Sequence, residues 1–287
     1  MKGRRLVLAC VVALDMALLA IRAHVDGTTR SGALGVLTSA PCLVLLALIG
    51  LSSLLAFARG RRTLVAGSIA LAATASLESL AAAVSWGHQR AFFASGATLA
   101  GWLFGLAFAR RAGEDEGAEA LAEAGAIAGL AATYVDSGLS KLLGGGLAWT
   151  AGGVQTAILT NHPVDDTSFL APYARFLVDH AGAAQALAAL TLVAELGAFA
   201  LVLGPRIRQA WAVLLVGFHV NVHLVAPNIL YLQACVLLVA FSWPRDRSSA
   251  PALSPEKTRE TARALGRWVL VAVAAAWLVR EGSALRR

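Results

Sequence analysis

The sequence predicts an all-α fold: a polytopic transmembrane helical bundle of about nine spans with its N-terminus in the cytoplasm. Three observations predict it. The 287 residues are 58% hydrophobic and only 14% charged, with a mean hydropathy of +0.69, too little polar surface to cover one soluble core. The apolar residues come in long blocks rather than half-buried stripes. The basic residues sit between those blocks, so the net charge of +7 and the isoelectric point near 10.0 describe membrane topology rather than a nucleic-acid partner. Cys10, Cys42 and Cys235 lie inside apolar segments with no CxxC pair. Neither a thiol-redox centre nor a disulfide framework is supported.

The spans are read at 5–23, 40–58, 63–86, 91–109, 121–143, 183–204, 209–225, 228–243 and 267–281. Each approaches the roughly 20 residues that cross about 30 Å of hydrocarbon. The eighth is short and follows the turn-prone "APN" at 226–228. The first span resembles a signal peptide in having Lys2, Arg4 and Arg5 ahead of it. Its interruption by Asp15 favours a retained helix. With a cytoplasmic N-terminus, the inner loops collect Arg59, Arg61 and Arg62, then Arg110 and Arg111, then Arg206 and Arg208, and the basic residues of 245–267. The outer side then holds few bases except at the C-terminal tail.

Three segments follow from this topology: an N-terminal four-span bundle at 1–120, a core at 121–245, and a cytoplasmic linker with the final span at 246–287. The core contains the longest outer connection, 144–182. It holds His162, Asp165, Asp166, Asp179 and His180, with enough apolar residues (Ile158, Phe169, Tyr173, Phe176, Leu177) to fold against the membrane surface. Connections of that length are usually functional or disordered. Gly101–Gly105 and Gly125–Gly129 have the four-residue spacing that lets helix backbones approach. There is no internal repeat, Walker A loop, HExxH or GxSxG.

Ionisable residues inside spans cost about 2.5–3.5 kcal/mol each near a helix centre, so each needs a partner or a purpose. They are Asp15, Glu78, Asp136, Lys141, Glu195, His219 and His223. Counting the helical rise puts Asp15, Glu195 and His219 near mid-membrane, Glu78, Asp136 and His223 in the outer half, and Lys141 at the outer boundary. The bland readings are a snorkelling Lys141 paired with Asp136, and a packing contact between Glu195 and His219.

The stretch "YVDSGLSKLLGGGLAWTAGG", residues 134–153, carries more. Tyr134, Ser137, Gly138 and Lys141 recur at one helical face. A polar face in lipid must look into the bundle or a cavity. Asp136 and Ser140 share the adjacent face. A lysine partly withdrawn from water at the mouth of that stripe can act as a base. Gly144, Gly145 and Gly146 end the helix, and Trp149 suits the interface.

These residues resemble the tyrosine, small–Gly–x–x–Lys–Leu, Trp–x–x–Gly signature of the vitamin K-dependent gamma-carboxylase superfamily, also described as the horizontally transferred transmembrane (HTTM) domain. Glu195, "GPRIR" at 204–208, "GFHVNVH" at 217–223 and "FSWPR" at 241–245 agree in order and spacing. The resemblance is strongest over 121–245. It does not extend to the large extramembrane portion with which the animal carboxylases help bind their peptide.

The resemblance implies Lys141 as the base that deprotonates a reduced quinone of the vitamin K type, with His219 as helper. Tyr134, Asp136, Ser137, Glu195, Asn221 and His223 would line the substrate cavity. The implied partners are membrane lipid and a secreted peptide or another membrane protein. No metal is implied. The alternative is a non-catalytic membrane component for maturation or export of a secreted peptide, with 144–182 as its contact surface. A proton-coupled carrier using Asp15, Glu78 and Glu195 is disfavoured by the lack of inverted repeats.

Overall fold

The computed structural model describes residues 2–28, 32–84, 93–111, 117–161, 170–225 and 231–243. The ninth span, the 244–266 linker, His162, Asp165 and Asp166 lie outside the described residues. The described chain is helical, with no strand among those residues. In order the helices are α1 (Lys2–Gly27), α2 (Gly32–Leu37), α3 (Ala40–Ala58), α4 (Thr63–Val84), α5 (Phe93–Arg111), α6 (Ala118–Gly145), α7 (Ala148–Asn161), α8 (Ala171–Asp179), α9 (Ala181–Leu196), α10 (Pro205–Val225) and α11 (Leu232–Ser242). A 3₁₀ segment, Gly197–Val202, continues α9. Two compact units divide within α6, between Leu130 and Ala131.

Among the described residues, four helical stretches are long and apolar enough to cross a membrane: Gly3–Gly27, Ala40–Ala58, Thr63–Val84 and Ala181–Val202. Their outer faces are apolar as well. Val44, Leu45, Leu48 and Leu55 of α3, and Leu190 and Val193 of α9, are exposed. Water would penalise such faces and hydrocarbon does not. The protein is a membrane protein.

In the first unit α1 packs against α3, α4 and α5. Leu8, Val12, Met16 and Leu19 of α1 are fully buried. Phe57 of α3 meets Trp102 of α5 edge-on, with centroids 6.2 Å apart. The helices α5 and the start of α6 touch backbone to backbone. A Cβ at Gly101 would stand 2.1 Å from the Gly125 carbonyl oxygen, and one at Gly105 2.1 Å from that of Leu121. The spaced glycines therefore do what small residues do between membrane helices. At the same end, Arg4 pairs with Glu123 and Arg5 with Glu119.

In the second unit the expected outer connection is largely helical. α7 and α8 pack on α9, burying Val154, Ile158, Ala174, Leu177, Ala184 and Ala188 in one cluster with Val225 of α10. Gln155 donates to the Val178 carbonyl at 3.1 Å. Of the apolar residues that suggested a surface-hugging loop, Ile158 and Leu177 are buried in this cluster and Tyr173 packs against it, while Phe176 is exposed; Phe169 lies outside the described residues. Where α9 loosens into its 3₁₀ turn, the Trp211 indole of α10 donates to the Ala194 carbonyl at 3.1 Å. Its ring lies where a Cβ at Gly197 would stand, 2.2 Å from Cζ2.

Candidate functional site

The site is built from α6, α9 and α10 of the second unit. α6 ends where the sequence places its glycines. Gly146 takes a left-handed backbone, φ +57, and its N–H returns to the Leu142 carbonyl at 2.8 Å, closing the helix as glycine does at this position. Lys141 thus sits one turn before the helix end, above Ser137 and Tyr134 on the same face.

Each member of that polar stripe meets a partner from another helix. The Lys141 ammonium donates to Glu195 Oε1 at 2.5 Å and to Oε2 at 2.6 Å. It also donates to Ser137 Oγ at 2.9 Å. Ser137 in turn donates to Glu195 Oε1 at 3.0 Å. The Glu195 side chain is only 4% exposed and that of Lys141 25%. Three acceptors therefore match the three ammonium protons, and the buried carboxylate is charge-balanced. Gly138 makes the approach possible: a Cβ there would stand 3.1 Å from Glu195 Cβ and 3.0 Å from two Leu196 side-chain carbons. The Trp149 indole of α7 caps the amine, its centroid 5.5 Å from Nζ.

One turn deeper, the buried Tyr134 hydroxyl lies 2.6 Å from His219 Nε2. The His219 imidazole is flanked by Tyr231 at 4.7 Å and Phe218 at 5.1 Å between ring centroids. Its Nδ1 is buried with no hydrogen-bond partner among the described residues, and the same holds for His223 Nδ1 one turn further along α10. Helical spacing puts these two histidines on one face.

The structure thus joins Lys141, Ser137, Glu195, Tyr134 and His219, with His223 on the same side of α10. Asn221 is directed elsewhere, donating to the Tyr173 hydroxyl of α8 at 2.7 Å. Asp136, half-buried, makes no ion pair or hydrogen bond among the described residues. The bland pairings of the sequence reading are replaced. Lys141 meets Glu195 rather than Asp136, and His219 meets Tyr134 rather than Glu195.

Lys141, counted to the outer boundary, and Glu195, counted to mid-membrane, are in contact. Ala184 and Ala188, in the first half of α9, pack in the cluster with α7 and α8. Tyr231, Phe218 and Trp149 joined no site in the sequence reading. Trp149 and Phe218 stood in the motifs quoted for the resemblance, and Tyr231 precedes α11, but nothing in the sequence assigned them a contact with Lys141 or His219.

Asp15, fully buried, and Glu78 belong to the first unit. No three His, Cys, Asp or Glu side chains gather to hold a metal among the described residues.

Comparison of the chain with protein-family models, with curated proteins and with solved structures found no match. The functional reading therefore stands on the residues themselves.

Proposed function

We propose that the chain is a multi-pass protein of the cell membrane, with about nine spans and a cytoplasmic N-terminus, that acts on a lipid quinol or a secreted peptide with Lys141 as its base, in the manner of the gamma-carboxylase (HTTM) superfamily. What carries the reading is the hydrogen-bonded set of Lys141, Glu195 and Ser137, contiguous on α6 with Tyr134 and its partner His219. An ammonium bound to a carboxylate is not itself a base. Handing one proton to Glu195 leaves a neutral amine beside a neutral acid, which low polarity favours. The amine then accepts a proton from the bound molecule, and Glu195 releases its own later.

Two features support a reduced quinone as the bound molecule. The unpaired buried Nδ1 of His219 suits an oxygen, and the Tyr231 and Phe218 rings suit a flat ring. A reduced quinone would supply the acidic hydroxyl that Lys141 deprotonates. Ser137 keeps the amine aligned, and Tyr134 keeps the imidazole aligned.

Purified protein reconstituted with reduced menaquinone or vitamin K hydroquinone under oxygen tests this, with quinol loss followed by absorbance. Wild type should consume quinol and Lys141→Ala should not, at equal yield and helicity. Equal consumption by Lys141→Ala would end the reading.

A second reading has its own observation. Leu147 and Leu159 beside and within α7, and Phe176 of α8, are exposed at 76%, 68% and 46%. Such a surface suits a non-catalytic partner of a secreted peptide. Substitutions there would then impair function more than Lys141→Ala, and a stable partner would co-purify.

A further inference from the structure

The α6–α7 corner is shaped around Trp149. The left-handed Gly146 turns the chain, and α7 begins two residues later at Ala148. The Trp149 N–H returns to the Gly146 carbonyl at 3.3 Å, fixing the residue in the first turn. Its indole then lies back across its own helix. A Cβ at Gly153 would stand 2.7 Å from Cε2 and 2.9 Å from Nε1, and one at Gly145 3.1 Å from Trp149 Cβ. The ring can occupy this place only because residue 153 has no side chain. From there its face meets Lys141 Nζ at 5.5 Å, within the range of a cation–π contact.

We propose that Trp149 is a positioning residue for the Lys141 amine. Seated on Gly153, the indole covers the amine and holds it on Glu195 and Ser137. A reacting molecule then reaches it along the Ser137–Tyr134 stripe rather than over the α6–α7 corner. The acceptors fix the direction of the ammonium protons, and the ring closes a side that no acceptor occupies. The functional meaning rests on Lys141 being the working group of the site; the contact itself does not.

The test reads the amine directly. Lys2 and Lys257 are the only other lysines, so reductive methylation of protein in nanodiscs, read by peptide mass spectrometry, resolves each. Lys141 should methylate at least about threefold faster in Trp149→Ala than in wild type, with Lys2 unchanged. Gly153→Ala keeps the tryptophan but removes its seat, and should accelerate Lys141 in the same direction. Trp149→Phe, which restores a ring face, should return the rate toward wild type. Trp149 also packs against the α7–α9 cluster, so if Trp149→Ala fails to fold, Gly153→Ala and Trp149→Phe carry the test.

A wild-type Lys141 rate in Gly153→Ala, or in folded Trp149→Ala, overturns the proposal. Acceleration that Trp149→Phe does not reverse also overturns it, because a ring face would then not be what holds the amine. Quinol turnover by Lys141→Ala is measured separately. Its persistence would remove the catalytic reading and leave the methylation result to decide the role of Trp149.

Discussion

Lys141 and Glu195 face each other across α6 and α9 with both carboxylate oxygens engaged, at 2.5 and 2.6 Å. This contact ties the end of α6 to the end of α9. It also concentrates the unit's electrostatic risk in two residues. The carboxylate is nearly out of water, and the amine retains only partial access. Removing one member of such a pair is worse than removing both, because the survivor keeps its desolvation cost without its counter-charge.

The double substitution should therefore cost less than its two single substitutions taken together. Lys141→Met leaves Glu195 buried and unpaired, and Glu195→Gln leaves the ammonium without its counter-ion. Each should lose on the order of 3–5 kcal/mol at most, less for Glu195→Gln because the amide still accepts. Lys141→Met with Glu195→Gln should lose less than the sum. Thermal unfolding in detergent, arranged as a double-mutant cycle, reads the coupling. Simple additivity would mean that the pair does not act as a unit.

Tyr134→Phe removes one oxygen and leaves the ring. With the phenol donating to Nε2, the imidazole proton sits on Nδ1 and the ring orientation is fixed. Without it, Nε2 becomes a buried orphan, costing about 1–3 kcal/mol. The imidazole nitrogen resonances of His219 should change from one defined tautomer to a mixture. An unchanged tautomer in Tyr134→Phe would show that Tyr134 does not orient the ring.

Why the sequence reveals some of this and hides the rest has a physical explanation. Apolar length marks α1, α3, α4 and the α9 segment, because hydrocarbon selects for it over about 20 residues. Periodicity on one helix puts Tyr134, Ser137 and Lys141 together, since their spacing is local. Nothing local says that Glu195 rather than Asp136 reaches Lys141. That depends on where α9 lies beside α6, which is set by tertiary packing and not by local spacing. The helical content of the 144–182 connection is hidden for a related reason. Ala148–Asn161 is too short for a span and too apolar for an ordinary loop, and becomes legible only when its partner face on α9 is known. The contact of Trp149 with Lys141 was not legible because it depends on a missing Cβ at Gly153.

The glycine contacts of the first unit make a cleaner test of packing. A Cβ at Gly125 would stand 2.1 Å from the Gly101 carbonyl oxygen, which is backbone and cannot rotate away. Gly125→Ala should therefore push α5 from α6 and cost roughly 1–3 kcal/mol, as overpacking does. Gly96→Ala is the control, since no atom lies within 4 Å of its added carbon. It should be neutral or slightly stabilising, because alanine favours the helix by up to about 1 kcal/mol. Unfolding temperatures of the two variants side by side decide it. Equal behaviour would mean that the close glycine approach does not contribute to stability.

The contact between Asn221 and Tyr173 separates the two functional readings. The amide donates to the phenol at 2.7 Å and ties α8 to α10 away from the lysine pair. Asn221→Leu removes it without touching Lys141, Ser137 or Glu195. The tether is a single hydrogen bond of about 0.5–1.5 kcal/mol, while Leu177 and Ala174 keep α8 seated on its cluster. α8 should therefore stay folded but open more often. Amide exchange across 171–179 should accelerate several-fold while exchange near Glu195 stays unchanged. If the lysine pair performs the chemistry, quinol turnover in this variant should remain within about twofold of wild type, because such a loss is small beside the effect of removing a base. If α7 and α8 instead receive a peptide, the same variant should weaken that association while Lys141→Ala leaves it intact. Both results come from one pair of proteins, and they point in opposite directions for the two readings.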